Sequence, residues 1–206
     1  MKKEQDYIQD IAEIRSMMER SSKFLSLSGW AGIMAGIYAL LGAYIAYTFL
    51  NFDPDELFYI SSGSPSSGLL EVILLAFIIL ILALGTAVFL SYERAGKRNE
   101  KLWNPTAKKL LVNIMVPLVV GGILIFFMIT KGLIGLVAPF SLLFYGLALF
   151  NAGKYTYQEV KILGLIEIIL GLIGSWFVEY GLLFWALGFG VVHIIYGIHM
   201  NFKYEK

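Results

Sequence analysis

Cysteine is absent from this 206-residue chain, and only two histidines are present. Disulfides, thiolate metal centres, a cysteine nucleophile and a palmitoyl anchor are therefore excluded. Charge is also scarce. Asp, Glu, Lys and Arg make up 15% of the residues, against about 25% in an ordinary soluble domain. The formal net charge of +1 gives no global attraction to nucleic acid. No HExxH, phosphate-binding glycine loop, paired-Asp motif or nucleophile–base pair stands out, so neither an enzyme nor a cofactor is expected. What the chain has instead is apolar surface. Hydrophobic residues reach 58% and the mean hydropathy is +0.74. A soluble domain this small could not hide so much.

The expected fold class is all-α, a polytopic membrane protein. A crossing helix needs about 20 mostly apolar residues. Six stretches come close: Leu27 to Leu50, Leu69 to Leu90, Leu110 to Ile129, Leu133 to Phe150, Ile162 to Val178 and Leu182 to Met200. The thin breaks at Lys131-Gly132 and Glu179-Tyr180-Gly181 each carry a charge and a helix-ending glycine. Residues 1–24 are too charged for a cleavable signal. They read as an amphipathic cytoplasmic helix, with Ile8, Ile11, Ile14 and Met18 along one face. Residues 25–206 form the transmembrane domain.

Basic residues set the orientation. With six crossings and both termini cytoplasmic, 15 of the 16 Lys and Arg residues fall inside and only Lys131 outside. Trp176 and Trp185 then sit near the outer interface and Trp30 near the inner one. The first loop is external, with Asp53-Pro54 opening a short helix ahead of a Ser/Gly/Pro linker. The second loop, residues 91–109, is cytoplasmic and basic, and its Asn104-Pro105 is an N-cap for the third helix. Residues 4–24 and 91–109 supply the cytoplasmic surface on which a protein partner could dock. Lipid is the other expected partner, and nucleic acid is not one.

Four polar residues are candidates for an intramembrane site: Glu167, His193, Glu71 and Asn113. In lipid a carboxyl group must be neutral, paired or hydrated by a cavity. Glu71 lies about one turn into its helix, where the N-terminal dipole favours negative charge. Glu167 lies past the first turn of the fifth span, and His193 has a similar depth in the sixth. The two histidines are six residues apart, which does not place a metal pair on one helix face. Ser141 and Ser175 are weaker members of a polar interior.

Gly32 and Gly36 form a close-approach motif in the first span. It serves packing inside the bundle or, alternatively, a homodimer seam. Gly164, Gly171 and Gly174 share a face with Glu167, and Gly190 and Gly197 share one with His193, so the fifth and sixth spans could approach closely. Pro117 and Pro139 are expected to interrupt the third and fourth helices. The stretch from Gly68 to Leu74 is similar to that from Gly164 to Leu170, a hint of two inverted three-helix halves. The run from Trp30 to Tyr44, after Met17-Met18-Glu19-Arg20-Ser21-Ser22-Lys23-Phe24, and the closing His193-Ile194-Ile195-Tyr196-Gly197 together resemble a group of uncharacterised bacterial membrane proteins. That resemblance implies a bacterial inner membrane and carries no activity.

The expected function is that of a membrane sensor or scaffold acting through a cytoplasmic partner. The alternative is a small transporter, proton-coupled or for apolar solutes, using Glu167 and His193. The topology is directly testable, because the chain lacks native cysteine. A cysteine at Ser64 should react with an impermeant maleimide in intact cells, while one at Asn99 should not. Reversed or equal labelling would contradict the orientation.

Overall fold

The computed structural model describes residues 27–52, 67–97 and 103–205. Among the described residues seven α-helices follow one another: α1 (Gly29–Thr48), α2 (Ser67–Lys97), α3 (Pro105–Thr130), α4 (Val137–Ala152), α5 (Gln158–Trp176), α6 (Gly181–Trp185) and α7 (His193–Tyr204). A π-helical stretch, Ala186–Val192, joins α6 to α7. Short 3-10 turns at Ile134–Leu136 and Val178–Tyr180 precede α4 and α6. The helix expected over residues 4–24 and the external loop helix at Asp53 lie outside the described residues.

The fold is all-α and that of a polytopic membrane protein. Among the described residues five stretches are long and apolar enough to cross a bilayer: Gly29–Thr48, Gly68–Lys97, Pro105–Thr130, Ile134–Ala152 and Val178–Tyr204. α5 differs because it carries Glu159, Lys161 and Glu167. On α2, Leu74, Phe77, Ile78, Ile81, Leu84 and Val88 are all exposed, a continuous apolar surface that suits lipid and not water. α2 also runs on to Lys97, well past Leu90 where its span was expected to end. At about 1.5 Å per residue it is some 46 Å long, so its last turns project beyond a hydrocarbon layer of about 30 Å.

Local sequence sets the helix ends. Asn104 caps α3, its side chain accepting the Ala107 N–H at 2.7 Å, with Pro105 at the first helical position. After α3 the chain reverses at Gly132, whose φ of +74° lies in the left-handed region that glycine adopts without steric cost. The prolines differ from one another. Pro117 does sit inside α3, but Pro139 is the third residue of α4. The N–H groups of a first turn have no intrahelical partner in any case, so Pro139 opens its helix and does not interrupt it.

The helices pack as two trios. In the first, α1 lies antiparallel to α7. A Cβ placed on Gly36 would stand 2.6 Å from the Gly190 carbonyl oxygen, and one on Gly29 would stand 2.5 Å from that of Gly197. α2 packs on the other side of α1, where Gly42 receives Ile79 and Tyr38 Oη lies 3.2 Å from Thr86 Oγ1. In the second trio, α4 lies antiparallel to α5. A Cβ on Gly146 would be 2.7 Å from the Gly164 carbonyl oxygen, and one on Gly171 would be 2.8 Å from that of Pro139. α3 joins α4 where Gly121 receives Phe144.

Two sequence expectations are corrected by this packing. Most of the glycine faces have other partners than expected: Gly164 and Gly171 admit α4 and Gly190 and Gly197 admit α1, whereas Gly174 does face Phe184 of α6. The trios also cut across the two halves of the suggested repeat, because the last helix packs with the first two. Within that plan Glu71 is exposed and Glu167 is buried. The Gly32/Gly36 face, the candidate seam between copies, is filled by the chain's own α7.

Lipid tails are as apolar as Leu, so close van der Waals approach supplies much of the cohesion between such helices. Gly36→Leu should therefore lower thermal stability in detergent, by about 1–3 kcal/mol as for other overpacked cores. Gly122→Ala, where an added Cβ meets nothing within 4 Å, should leave the melting temperature unchanged or raise it. Equal effects of the two would argue against the close α1–α7 contact.

Candidate functional site

α5 turns Val160, Leu163, Gly164, Glu167, Gly171 and Gly174 inward, a spacing that follows the 3.6-residue period. Leu165, Ile166, Ile169 and Leu172 face outward. Glu167 is thus carried into the bundle by the same stripe of glycines that admits α4. It is 0% exposed, and His193 on α7 is 4% exposed. His193 Nδ1 lies 3.3 Å from Glu167 Oε1. Each residue is about 14–16 Å from the end of its helix that carries the chain termini, at 1.5 Å per residue. The suggested acid–imidazole pair therefore exists.

The imidazole is held from both sides. Nδ1 lies 2.9 Å from the Gly188 carbonyl oxygen. A carbonyl only accepts, so Nδ1 carries the hydrogen. In the neutral ring Nε2 is then the acceptor, and the Tyr145 hydroxyl, 3.0 Å away on α4, donates to it. Phe189 stacks on His193 at 5.8 Å between ring centres and on Tyr145 at 5.0 Å, and Trp185 lies against Phe189 at 5.1 Å. Gly188 has a second role: a Cβ there would collide with Glu167 Oε2 and come within 2.5 Å of Leu142 Cδ2. Its lack of a side chain makes the space for the carboxyl group. The π-helical winding places Gly188 and His193 so that the ring meets that carbonyl. π turns of this kind are frequent at functional sites.

Neither oxygen of Glu167 has a hydrogen-bond partner among the described residues, in a setting where most buried polar atoms have one. The chemistry follows from charge. With one proton shared, the pair is neutral overall, either as carboxylic acid and imidazole or as carboxylate and imidazolium. Both forms have no net charge, but Nδ1 already bears a hydrogen, so the carboxyl proton has no lone pair to enter at the 3.3 Å contact. Adding a second proton, or removing the first, leaves a net charge in a low-dielectric interior, at a cost of several kcal/mol. A change in the number of protons on the closed cluster therefore calls for water, a counter-charge or movement.

The other candidates are elsewhere. Glu71 is on the exposed surface of α2. Asn113, half-buried on α3, donates from Nδ2 to the Lys109 carbonyl at 2.8 Å. Ser141 and Ser175 hydrogen-bond within their own helices, to Ala138 and Gly171. His199 is exposed. Among the described residues no group of three or more His, Asp or Glu side chains is placed to hold a metal ion.

A second polar group closes the end of the bundle where α1 begins and α7 finishes, here the basal end. Arg94 is buried at the end of α2 and ion-pairs with Glu205. It also donates to the Leu27 carbonyl at 2.5 Å and to the Tyr204 carbonyl at 3.1 Å. The Glu205 carboxylate accepts the Gly29 N–H at 2.6 Å, a favourable position for negative charge at a helix N-terminus. Nearby, Glu159 of α5 accepts from Lys203 Nζ at 2.5 Å and from Tyr204 Oη at 3.0 Å. Beneath these groups Ala107, Leu110, Ala152, Tyr157, Val160 and Met200 form a buried core. Part of the basic 91–109 surface is thus turned inward, since Arg94 serves the fold. The other proposed partner segment, residues 4–24, lies outside the described residues.

Comparison of the chain with known protein families, curated proteins and solved structures returned no match. The motif resemblance to bacterial membrane proteins therefore has no counterpart there, and the site has to be read from its own chemistry.

Glu159, ahead of the apolar part of α5, gives an acid-side prediction. Burial pushes its carboxyl up, but hydrogen bonds from Lys203, the backbone and Tyr204, together with the lysine charge, outweigh that and hold it below its ordinary 4.5. A carboxyl with a depressed folded-state value stabilises the fold fully above the unfolded value and loses that contribution as pH falls through the folded one. The stability gap between wild type and Glu159→Gln should be complete at neutral pH and shrink below about pH 4.5. A gap independent of pH in detergent melting curves would contradict this.

Proposed function

We propose that this protein is a small membrane transporter that couples proton binding at Glu167 and His193 to the passage of a small or apolar solute. The observation that carries the reading is the fully buried Glu167 carboxyl, without a hydrogen-bond donor and 3.3 Å from His193 Nδ1. Intramembrane ionisable groups are costly and mark ion or proton pathways in many transporters. Tyr145 extends the chain of proton-exchanging groups to three helices.

The finer topology belongs to the same proposal. Six crossings count α5 as a span despite its charges. The basal end then faces the cytoplasm with both termini, supported by the distribution of basic residues. Trp30 and Trp103 are exposed at the basal end and Trp176 at the other, as interfacial tryptophans would be. A bacterial inner membrane is proposed on the motif resemblance alone. The sensor or scaffold reading rests on surfaces that are undescribed or, at Arg94, committed to the fold, and it is the weaker proposal.

The test uses proteoliposomes with an entrapped pH dye and a panel of small apolar solutes, with Trp185 fluorescence reporting on the site. Glu167→Gln and His193→Gln should each reduce solute-coupled proton flux by about a hundredfold or more, the lower end of the range for loss of a proton-transfer group. The double variant should be no worse than either single one, because the two act as a unit. Normal flux in Glu167→Gln, or strictly additive losses, would contradict the proposal.

A further inference from the structure

We infer that the bundle opens at its basal end, along the seam between the two trios, and that the Glu159–Lys203/Tyr204 contact is the gate that closes it. The inference deepens the transport reading and rests on it for the purpose of the opening.

Within each trio one pair of helices touches at glycines where backbone meets backbone, and the third helix leans on that pair through a side chain seated on a glycine, Ile79 on Gly42 and Phe144 on Gly121. α1 meets α7 at Gly29, Gly32, Gly36, Gly190 and Gly197, and α4 meets α5 at Gly146, Gly164 and Gly171. Across the seam, between α5 and α7, such backbone approach gives way to side chains: Glu167 with His193 at depth, and Glu159 with Lys203 and Tyr204 at the basal rim. The Tyr157 and Tyr204 rings, 4.3 Å apart, complete the rim. Contacts made by side chains can separate and re-form while each glycine-packed trio stays intact.

The last span has two allegiances. α6 leans on α4 and α5: Gly181 faces Gly135 and Pro139, and Phe184 faces Gly174. α7 leans on α1. The π-helical Ala186–Val192 joins these halves, and it contains Gly188, which makes room for Glu167. Its wider winding is a built-in joint. Turning α7 and α1 away from α5 about that joint would part Lys203 and Tyr204 from Glu159, and would bring the basal side to Glu167 and His193. The Arg94–Glu205 pair joins α2, α1 and α7 and so travels with the moving trio intact. The basal end thus carries two ion pairs with different duties, one holding a trio together and one holding the trios shut.

The cysteine-free chain allows a test in proteoliposomes with a small membrane-permeant maleimide. Leu142→Cys reports on site depth, since Leu142 is fully buried beside Gly188. Ala46→Cys, buried near the far end of α1, is the control. Adding Glu159→Gln should speed labelling at position 142 by roughly two- to fivefold, the ratio expected for losing one half-exposed ion pair, and leave position 46 unchanged. Exchanging the charges, Glu159→Lys with Lys203→Glu, should restore slow labelling. If Leu142→Cys does not fold, Val160→Cys in the basal core serves instead, with the same expectation. Unchanged labelling at the seam, or an equal rise at position 46, overturns the gate. Failure of the charge exchange to restore closure overturns the ion pair as its cause. Labelling needs no solute and no proton flux. A seam that opens in a chain that moves no protons keeps this inference and rejects the transport reading, and proton flux without opening does the reverse.

Discussion

A carboxyl group with no access to water at the middle of a helical bundle constrains everything around it. Glu167 is fully buried, and neither of its oxygens meets a donor among the described residues. Left ionised and alone it would cost several kcal/mol. The ionisable group beside it is the imidazole, whose Nδ1 lies 3.3 Å from Glu167 Oε1. The arrangement depends on details that do nothing else obvious. Gly188 lacks a side chain where the carboxyl sits, its carbonyl fixes the imidazole hydrogen on Nδ1, and Tyr145 occupies Nε2.

The same constraint accounts for how the helices are divided. In lipid, burial of apolar surface does not drive helices together, so cohesion comes from close backbone approach and from polar contacts. This chain uses close approach between α1 and α7 and between α4 and α5, adds the Arg94–Glu205 pair inside the first trio, and joins the trios by polar contacts above the buried core around Met200. α2 and α3 lie at the periphery, each leaning on one neighbour of its own trio, with broad apolar faces left to lipid. The ionisable groups on the seam are therefore costly to expose to lipid and easy to expose to water. A bundle of this kind has a reason to stay closed and a defined place to open.

Much of this was legible in the residues. Apolar runs and charge distribution indicate the membrane class. Asn104-Pro105 and Gly132 mark a helix start and a reversal that the structure contains, because caps and left-handed turns are local and depend on few residues. The depths of Glu167 and His193 could be matched by counting from helix ends. Other features were not legible. A membrane helix that is apolar nearly all round gives little indication of which face meets which neighbour, so most of the glycines expected between the fifth and sixth spans pack elsewhere, Gly174 against Phe184 excepted. Tyr145 and Gly188 belong to the site through the packing of three helices, and neither carries a sequence signal beyond its position in mid-span. Arg94 read as one basic residue among six in a loop, although α2 continues far enough to bury it against Glu205.

The central claim is that Glu167 and His193 form one coupled site. Infrared difference spectroscopy of the reconstituted protein measures this most directly, through the vibrational band of the carboxyl group. The account predicts a carboxyl band that vanishes in Glu167→Gln and shifts in frequency in His193→Gln. A band that survives in Glu167→Gln, or one whose frequency is the same with and without His193, would contradict it.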